Sequence, residues 1–557
     1  MPFGEKLTPR QRVFLLFSLM VTLFLAALDQ TVVSTATPKI LADLQGFDLL
    51  PWLFTSYMLT STVVIPVLGR LGDLYGRKWI MVVGVVVFVV SSVLCGASQS
   101  MEALISFRFL QGLGGGAIFA CVFATVGDAF SPRDRGKYIG LFAGTFSLAA
   151  IIGPTFGGFL TDHGGWRWVF YINLPISLIA LPAILVNIPA RQEHRQVSID
   201  WLGAVALAGA SVAFLLAFVW AGDKYAWDSW QIISLLGASV AGTGLFILVE
   251  ARAKEPIIPL QLFRNRVFVL SNLIVFMFGL GVFGAFQFLG LFVQTALGAS
   301  ATISGVINTP QAVATLLTSV VGGQVISRYG RYKWQTVFGA VLVCIAMGLM
   351  QTLDTDIAKW RITVNVMILG LGFGLVLPTM SVIAQGVVAP QFIGVASSAN
   401  QFFRQMGAVM GIAIFGSVLS NFYNEGFADR FNAADRAAVG PAIVAQLEDP
   451  TLPLNKGVYQ VVQAKVLGLP DGPALLTRSQ DAQSESVAEA TRLIYLGALA
   501  AALACLAFAL VLDEVPLRRG AQVTVSAGKP AEGVGAEHEG ARGATSVPEP
   551  SPPGPGV

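Results

Sequence analysis

Residues 69 to 78 read Gly69-Arg70-Leu71-Gly72-Asp73-Leu74-Tyr75-Gly76-Arg77-Lys78, and a second copy, Gly323-Gln324-Val325-Ile326-Ser327-Arg328-Tyr329-Gly330-Arg331-Tyr332-Lys333, recurs 254 residues later, counted from Arg77 to Arg331. Each copy follows one long apolar stretch and precedes another. The chain around them is 55% hydrophobic and 12% charged, with a mean hydropathy of +0.70, whereas soluble domains carry about 25% charged residues. The apolar stretches run about 18 to 25 residues, enough at ~1.5 Å per residue to cross a ~30 Å hydrocarbon core. The spacing predicts fourteen such helices in an all-α polytopic membrane protein. The two copies follow the second and the tenth stretch, eight apart. Two six-helix halves related by an axis along the membrane normal would place them six apart, so two additional helices are expected between the halves. The chain then divides into an N-terminal six-helix bundle over 1–189, two inserted linker helices over 190–266 and a C-terminal six-helix bundle over 267–515.

The first apolar stretch is long and lacks a small-residue cleavage site, so a retained helix is expected. An even number of spans puts both ends on one side. The loops of that side carry about 20 Lys or Arg against about five opposite, which predicts cytoplasmic termini in a plasma or bacterial inner membrane. The net charge of +3 follows from this topology and implies no nucleic-acid partner. A polar, Ala-rich insertion at about 421–489 falls on the outer side, with helical runs near Phe427 to Val439 and Gly457 to Val466. It reads as an external cap or an extension of its flanking helices, or as a docking surface. The tail over 516–557 is rich in Gly, Pro, Ala and Glu; such a segment buries too little apolar surface to offset ordering entropy, and a disordered cytoplasmic tail is expected.

Several function classes find no support. Cys95, Cys121, Cys344 and Cys505 all fall within apolar stretches and read as packing residues. His163, His194 and His538 stand far apart without metal-ligand spacing, so no metal is expected. Gly279-Leu-Gly281-Val-Phe-Gly284 fits a dinucleotide fingerprint but lies inside a span and follows no strand. No phosphate loop of the G-x-x-x-x-G-K-[ST] form is present. The chain therefore reads as a protein without cofactor and not as an enzyme, one that would draw energy from an ion gradient or from the solute's own.

Charges inside apolar stretches remain. Asp29 lies in the stretch near 13–35 and Arg108 in that near 103–126, where each costs roughly 2.5 to 3.5 kcal/mol on insertion scales. Each sits about six residues, or ~9 Å, from the outer end of its helix, so the two share a depth. They read as a structural ion pair or as a proton-coupling pair. Arg404 either snorkels to the interface or lines a cavity. Trp52, Tyr57, Gln287, Gln294, Asn308 and Gln311, with Phe24, Phe142 and Phe146, are candidates for the same lining.

Four motifs, in order, resemble the major facilitator superfamily and, within it, the fourteen-span drug:proton antiporters of the EmrB and QacA type, over about Arg12 to Glu514. Leu28 to Pro38 is similar to the first-helix motif of that group, Gly69 to Lys78 to the loop motif, Arg108-Phe-Leu-Gln111-Gly112 to the fourth-helix motif, and Gly153-Pro154-Thr-Phe-Gly157-Gly158 to the fifth-helix antiporter motif. The resemblance implies the major facilitator fold. It implies a protonation site at Asp29 with Arg108 as its neighbour, and a conformational latch of Gly69, Asp73, Gly76 and Arg77 joined by Asp128. Two departures are visible: Ala149 replaces a family glycine, and Ser327 stands where the first loop copy has Asp73, so the second latch should be weaker or absent. An acid in the tenth span accompanies broad cationic-drug range in relatives, and none occurs from Thr302 to Ile326. The implied function is proton-coupled efflux of amphipathic drugs or metabolites by alternating access, with substrate, protons and bilayer as partners. Export of lipids or lipid-like molecules, and a non-transporting receptor or scaffold, are the alternatives.

Overall fold

The computed structural model describes residues 7–44, 49–190, 200–222, 224–454, 456–515 and 517. Helices α1 (Pro9–Leu44), α2 (Leu50–Tyr75), α3 (Arg77–Ala97), α4 (Met101–Ala129) and α5 (Pro132–His163) come first. The span α6 (Trp168–Asn187) follows, then α7 (Trp201–Trp220), α8 (Trp230–Glu250) and α9 (Arg266–Thr295). Next come α10 (Ala301–Tyr329), α11 (Lys333–Leu349), α12 (Lys359–Gly386) and α13 (Ile393–Arg430). Three short helices, α14 (Ala433–Val439), α15 (Pro441–Leu447) and α16 (Lys456–Leu467), precede α17 (Gly472–Val511). Among the described residues, 13 helices are long and apolar enough to cross a membrane. The fourteenth expected span, α10, is 29 residues long. Asn308, Thr309, Gln311, Thr315, Thr318 and Ser319 dilute its apolar character, and it packs between α5 and α12.

Packing repeats with a shift of eight spans. In the first half α1 meets α5 and α6, α4 meets α2 and α3, and α3 meets α6. In the second half α9 meets α13 and α17, α12 meets α10 and α11, and α11 meets α17. The halves join through α2 on α13 and α5 on α10, contacts that exchange under the same shift. This is the major facilitator fold, two six-helix bundles, with α7 and α8 as the additional pair. They pack on each other, and α7 also touches α2 and α13.

Both loop copies turn on a glycine with positive φ, Gly76 at 91° and Gly330 at 71°, a region costly for residues with a Cβ. Serine and asparagine N-caps start several helices: Ser100, Ser131, Ser229, Ser300 and Asn265 each accept from a backbone N–H of the first turn.

Helices α13 and α17, at 38 and 40 residues, would reach roughly 57 and 60 Å. They overshoot the ~30 Å core. The insertion fills the space between their projecting ends. The Tyr423 hydroxyl and the Gln483 amide both donate to Leu447 O, at 2.7 and 3.2 Å, and Arg430 pairs with Glu485 and Glu489. Phe427, Phe431, Leu447, Val462 and Val466 are buried within it. The segment is thus both an extension of its flanking helices and a cap. The helical run expected from Phe427 to Val439 is broken, because Asn432 starts a new helix by accepting from Asp435 N. The run near Gly457 to Val466 lies within α16. Beyond α17, Leu517 is buried and its N–H donates to Gly330 O at 3.2 Å; the rest of the expected tail lies outside the described residues.

Candidate functional site

Asp29 and Arg108 touch. Arg108 Nη1 donates to Asp29 Oδ2 at 2.6 Å, and their exposures are 0% and 1%. The other carboxylate oxygen, Oδ1, accepts from Gln111 Nε2 at 2.9 Å and from Asn173 Nδ2 at 2.8 Å. Gln111 stands three residues after Arg108, on the same face of α4, and its Oε1 accepts from Arg108 Nη1 at 2.8 Å. Arg108 Nε donates to Leu53 O at 3.3 Å, and the guanidinium lies 4.5 Å from the ring centroid of Tyr57. Asn173 continues the network to Ser92, whose hydroxyl donates to Phe170 O. A buried ion pair holds only where hydrogen bonds replace the lost water. Here α1, α2, α3, α4 and α6 supply them.

Asn173 and Ser92 were not among the sequence-derived site residues. Asn173 is an amide at the head of an apolar helix, Asn173–Asn187, and that isolated polarity was the available signal. Gln111 was legible as one turn beyond Arg108.

The first loop copy closes one end of the molecule. Arg77 Nη2 donates to Asp73 Oδ1 at 2.7 Å, and Arg77 also holds both oxygens of Asp128. Asp73 in turn accepts from the backbone N–H groups of Gly394 and Val395, each at 3.0 Å. It therefore caps α13 of the other half. A Cβ on Gly69 would stand 2.5 Å from Ser398, so glycine permits this approach. Arg70 adds a 2.6 Å pair with Glu255 after α8. The second copy has no such carboxylate: Ser327 Oγ donates to Asp134 Oδ1 at 3.3 Å, and Ser327 O accepts from Arg133 Nε at 2.6 Å. Backbone contact compensates, since a Cβ on Gly323 would meet Gly136 O at 2.2 Å.

The fifth-helix motif packs α5 on α1. A Cβ on Gly153 would lie 2.0 Å from Thr31 Oγ1, and one on Gly157 2.4 Å from Thr35 Oγ1. Gly158 has nothing within 4 Å, and Pro154 is exposed. Thr31 also donates to Ala149 O at 3.2 Å, so the departure at Ala149 keeps the close approach.

The remaining candidates are scattered. Tyr57 is 1% exposed and closed off beneath Arg108, and Phe142 is buried. Trp52 sits edge-on to Trp220 of α7, centroids 6.2 Å apart, which turns it toward the inserted pair. Gln287 is exposed; Gln294, Asn308, Gln311, Phe24 and Phe146 are partly exposed. No hydrogen bond among the described residues joins those four amides to one another. Arg404 is partly exposed, donates from Nε to Gln401 Oε1 at 3.0 Å and lies over Phe283.

Comparison with known proteins agrees with this fold. Residues 19–412 match the Major Facilitator Superfamily. The chain is 41% identical over 410 residues to the Multidrug transporter protein MdtP of Bacillus subtilis (strain 168), covering 74% of this chain and 76% of that protein. It is 34% identical over 474 residues to Multidrug resistance protein 3 of the same organism, covering 85% and 90%. Among solved structures, the proton:xylose symporter XylE aligns with a TM-score of 0.57 at 12% identity, over 90% of this chain and 96% of that one, which supports the fold.

Proposed function

Because this chain belongs to the major facilitator superfamily, we propose that it is a drug-efflux transporter, exporting amphipathic drugs or metabolites in exchange for protons by alternating access. In this reading it lies in the plasma or bacterial inner membrane with both termini in the cytoplasm. The observation that carries the reading is the fully buried Asp29 carboxylate, held by three donors from two other helices. Oδ1 accepts two hydrogen bonds and Oδ2 one, so a proton would enter at the acceptor position left on Oδ2, and neutralising the carboxylate would weaken the charge-assisted bonds made to it. The donors belong to α4 and α6, and protonation would loosen both from α1. The relatives named as multidrug transporters support the substrate class, and the alternatives of lipid export or a non-transporting scaffold gain no comparable observation.

The loop copies close the end that the basic loops assign to the cytoplasm, and in this reading the state described is one closed to the cytoplasm. Asp73, Arg77 and Asp128 act as the latch of that state, with Gly69 and Gly76 permitting its geometry, and Gly153, Pro154, Gly157 and Gly158 hold α5 on α1 as the carrier rocks. Arg108 modulates the proton affinity of Asp29 through the contact described. The purified protein in proteoliposomes tests the coupling: ethidium added to one side should drive proton movement in the wild-type protein, and Asp29→Asn should abolish it. Ethidium-driven proton movement that persists in Asp29→Asn would refute the role.

A further inference from the structure

Among the described residues Arg404 has no counter-charge. Its Nε bonds Gln401, its terminal nitrogens carry no hydrogen bond among the described residues, and no ion pair reaches it there. Arg404 stands 10 residues, or ~15 Å, along α13 from Gly394, where Asp73 caps that helix. This is about mid-depth of a ~30 Å core. Helices α9 to α13 contain no Asp or Glu before Glu425, and α17 contains none after Glu489. Glu425 is 21 residues on, ~31 Å away along the same helix. In the first half Asp29 and Arg108 neutralise each other. Among the described residues, the mid-membrane charge that remains is the positive charge of Arg404.

The surroundings of that charge suit an amphiphile. Gln401 and Arg404 share a helix face. The Phe283 ring lies 5.3 Å from the guanidinium and 4.9 Å from the ring of Phe373, which Phe278 also meets at 4.8 Å. Phe283 ends a π-helical turn, Gly279–Phe283, an irregularity frequent at functional sites. Gly279 there lets α9 approach α13, because a Cβ would stand 2.3 Å from Arg404 O.

We propose that Arg404, with Gln401 and Phe283, forms the headgroup subsite for an amphipathic organic anion, a carboxylate or phosphate joined to an apolar or aromatic body. The inference rests on the transport reading above and narrows its substrate class. The Arg404 fork is suited to a planar anion through its free terminal nitrogens, and Phe283 with Phe373 supplies an apolar wall beside it.

The test uses the full chain in proteoliposomes with three probes: 11-(dansylamino)undecanoic acid, its primary amide, and ethidium. The wild-type protein is expected to transport the acid in preference to the amide. In Arg404→Ala the acid-to-amide and acid-to-ethidium ratios should each fall about tenfold, the loss of one charge-assisted hydrogen bond, and Arg404→Lys should restore part of both. Ratios unchanged in Arg404→Ala would overturn the inference while leaving transport intact. A wild-type protein that moves none of the three probes would overturn the transport reading and the inference together. An NBD-labelled phosphatidylglycerol arm separates sources: Arg404-dependent flipping assigns the anionic head to a lipid, and dependence confined to the dansyl acid assigns it to a free solute.

Discussion

A single side-chain change at the buried pair should report on its neighbours as much as on itself. Arg108→Ala leaves the Asp29 carboxylate uncompensated at 0% exposure, which costs about 3 to 5 kcal/mol; a thermal-melting series in detergent should show a correspondingly large loss. Tyr57 allows a sharper comparison, because its hydroxyl has no hydrogen-bond partner among the described residues while its ring lies under Arg108. Tyr57→Phe is expected to melt near the wild-type temperature. Tyr57→Leu should lose at least about 0.5 to 2 kcal/mol, the cation–π contribution of a desolvated arginine, with the packing of the lost buried ring added to it. Equal losses in the two variants would show that the ring face is not what holds Arg108. The charges of this site were legible because an ion in an apolar helix is costly wherever it points. Asn173 and Ser92 were not, because a neutral polar residue is cheap enough to occur in any span, and only the packing of α6 and α3 on α1 makes them donors to Asp29.

At the level of helices, the fifth-helix motif is a spacing device whose positions are unequal. Valine at Gly153 or Gly157 would drive a side chain into Thr31 or Thr35 of α1, an overpacking expected to cost about 1 to 3 kcal/mol each. Gly158→Ala meets nothing within 4 Å and should stay within about 0.5 kcal/mol of wild type. Melting temperatures of the three variants check this, and a large loss at Gly158 would show that the motif acts through something other than α1–α5 contact. The motif as a string treats these glycines alike. Helical periodicity separates them, since residues 153 and 157 share a face and 158 turns away. The weak apolarity of α10 is likewise written in its residues, and only its place between α5 and α12 shows how the bilayer tolerates it.

Across the whole molecule the two halves meet at the loop copies, where the contacts are unequal in kind. The first copy uses a buried carboxylate and arginine, the second a serine and backbone approach. Opening that end must break the Asp73 contacts to Gly394 and Val395, so Arg77→Ala, which frees Asp73 and Asp128 to repel each other, is expected to shift the equilibrium toward the open state by about 1 to 3 kcal/mol. Spin labels at Lys137→Cys and Arg328→Cys, both exposed at that end, read this as growth of a longer-distance population. A distribution unchanged by Arg77→Ala would remove the latch from the mechanism.

The sequence by itself determined the solvent, the fold class and the eight-span repeat, because hydrophobic length and composition answer to the bilayer and need no partner. It also singled out Asp29 and Arg108 by cost alone. Only the tertiary structure decided that they touch, which amides complete the site, that Asp73 reaches across to α13, and that Arg404 is left without a counter-charge among the described residues. Those facts depend on which faces of distant helices meet, and a helix's own residues specify its faces but not its neighbours.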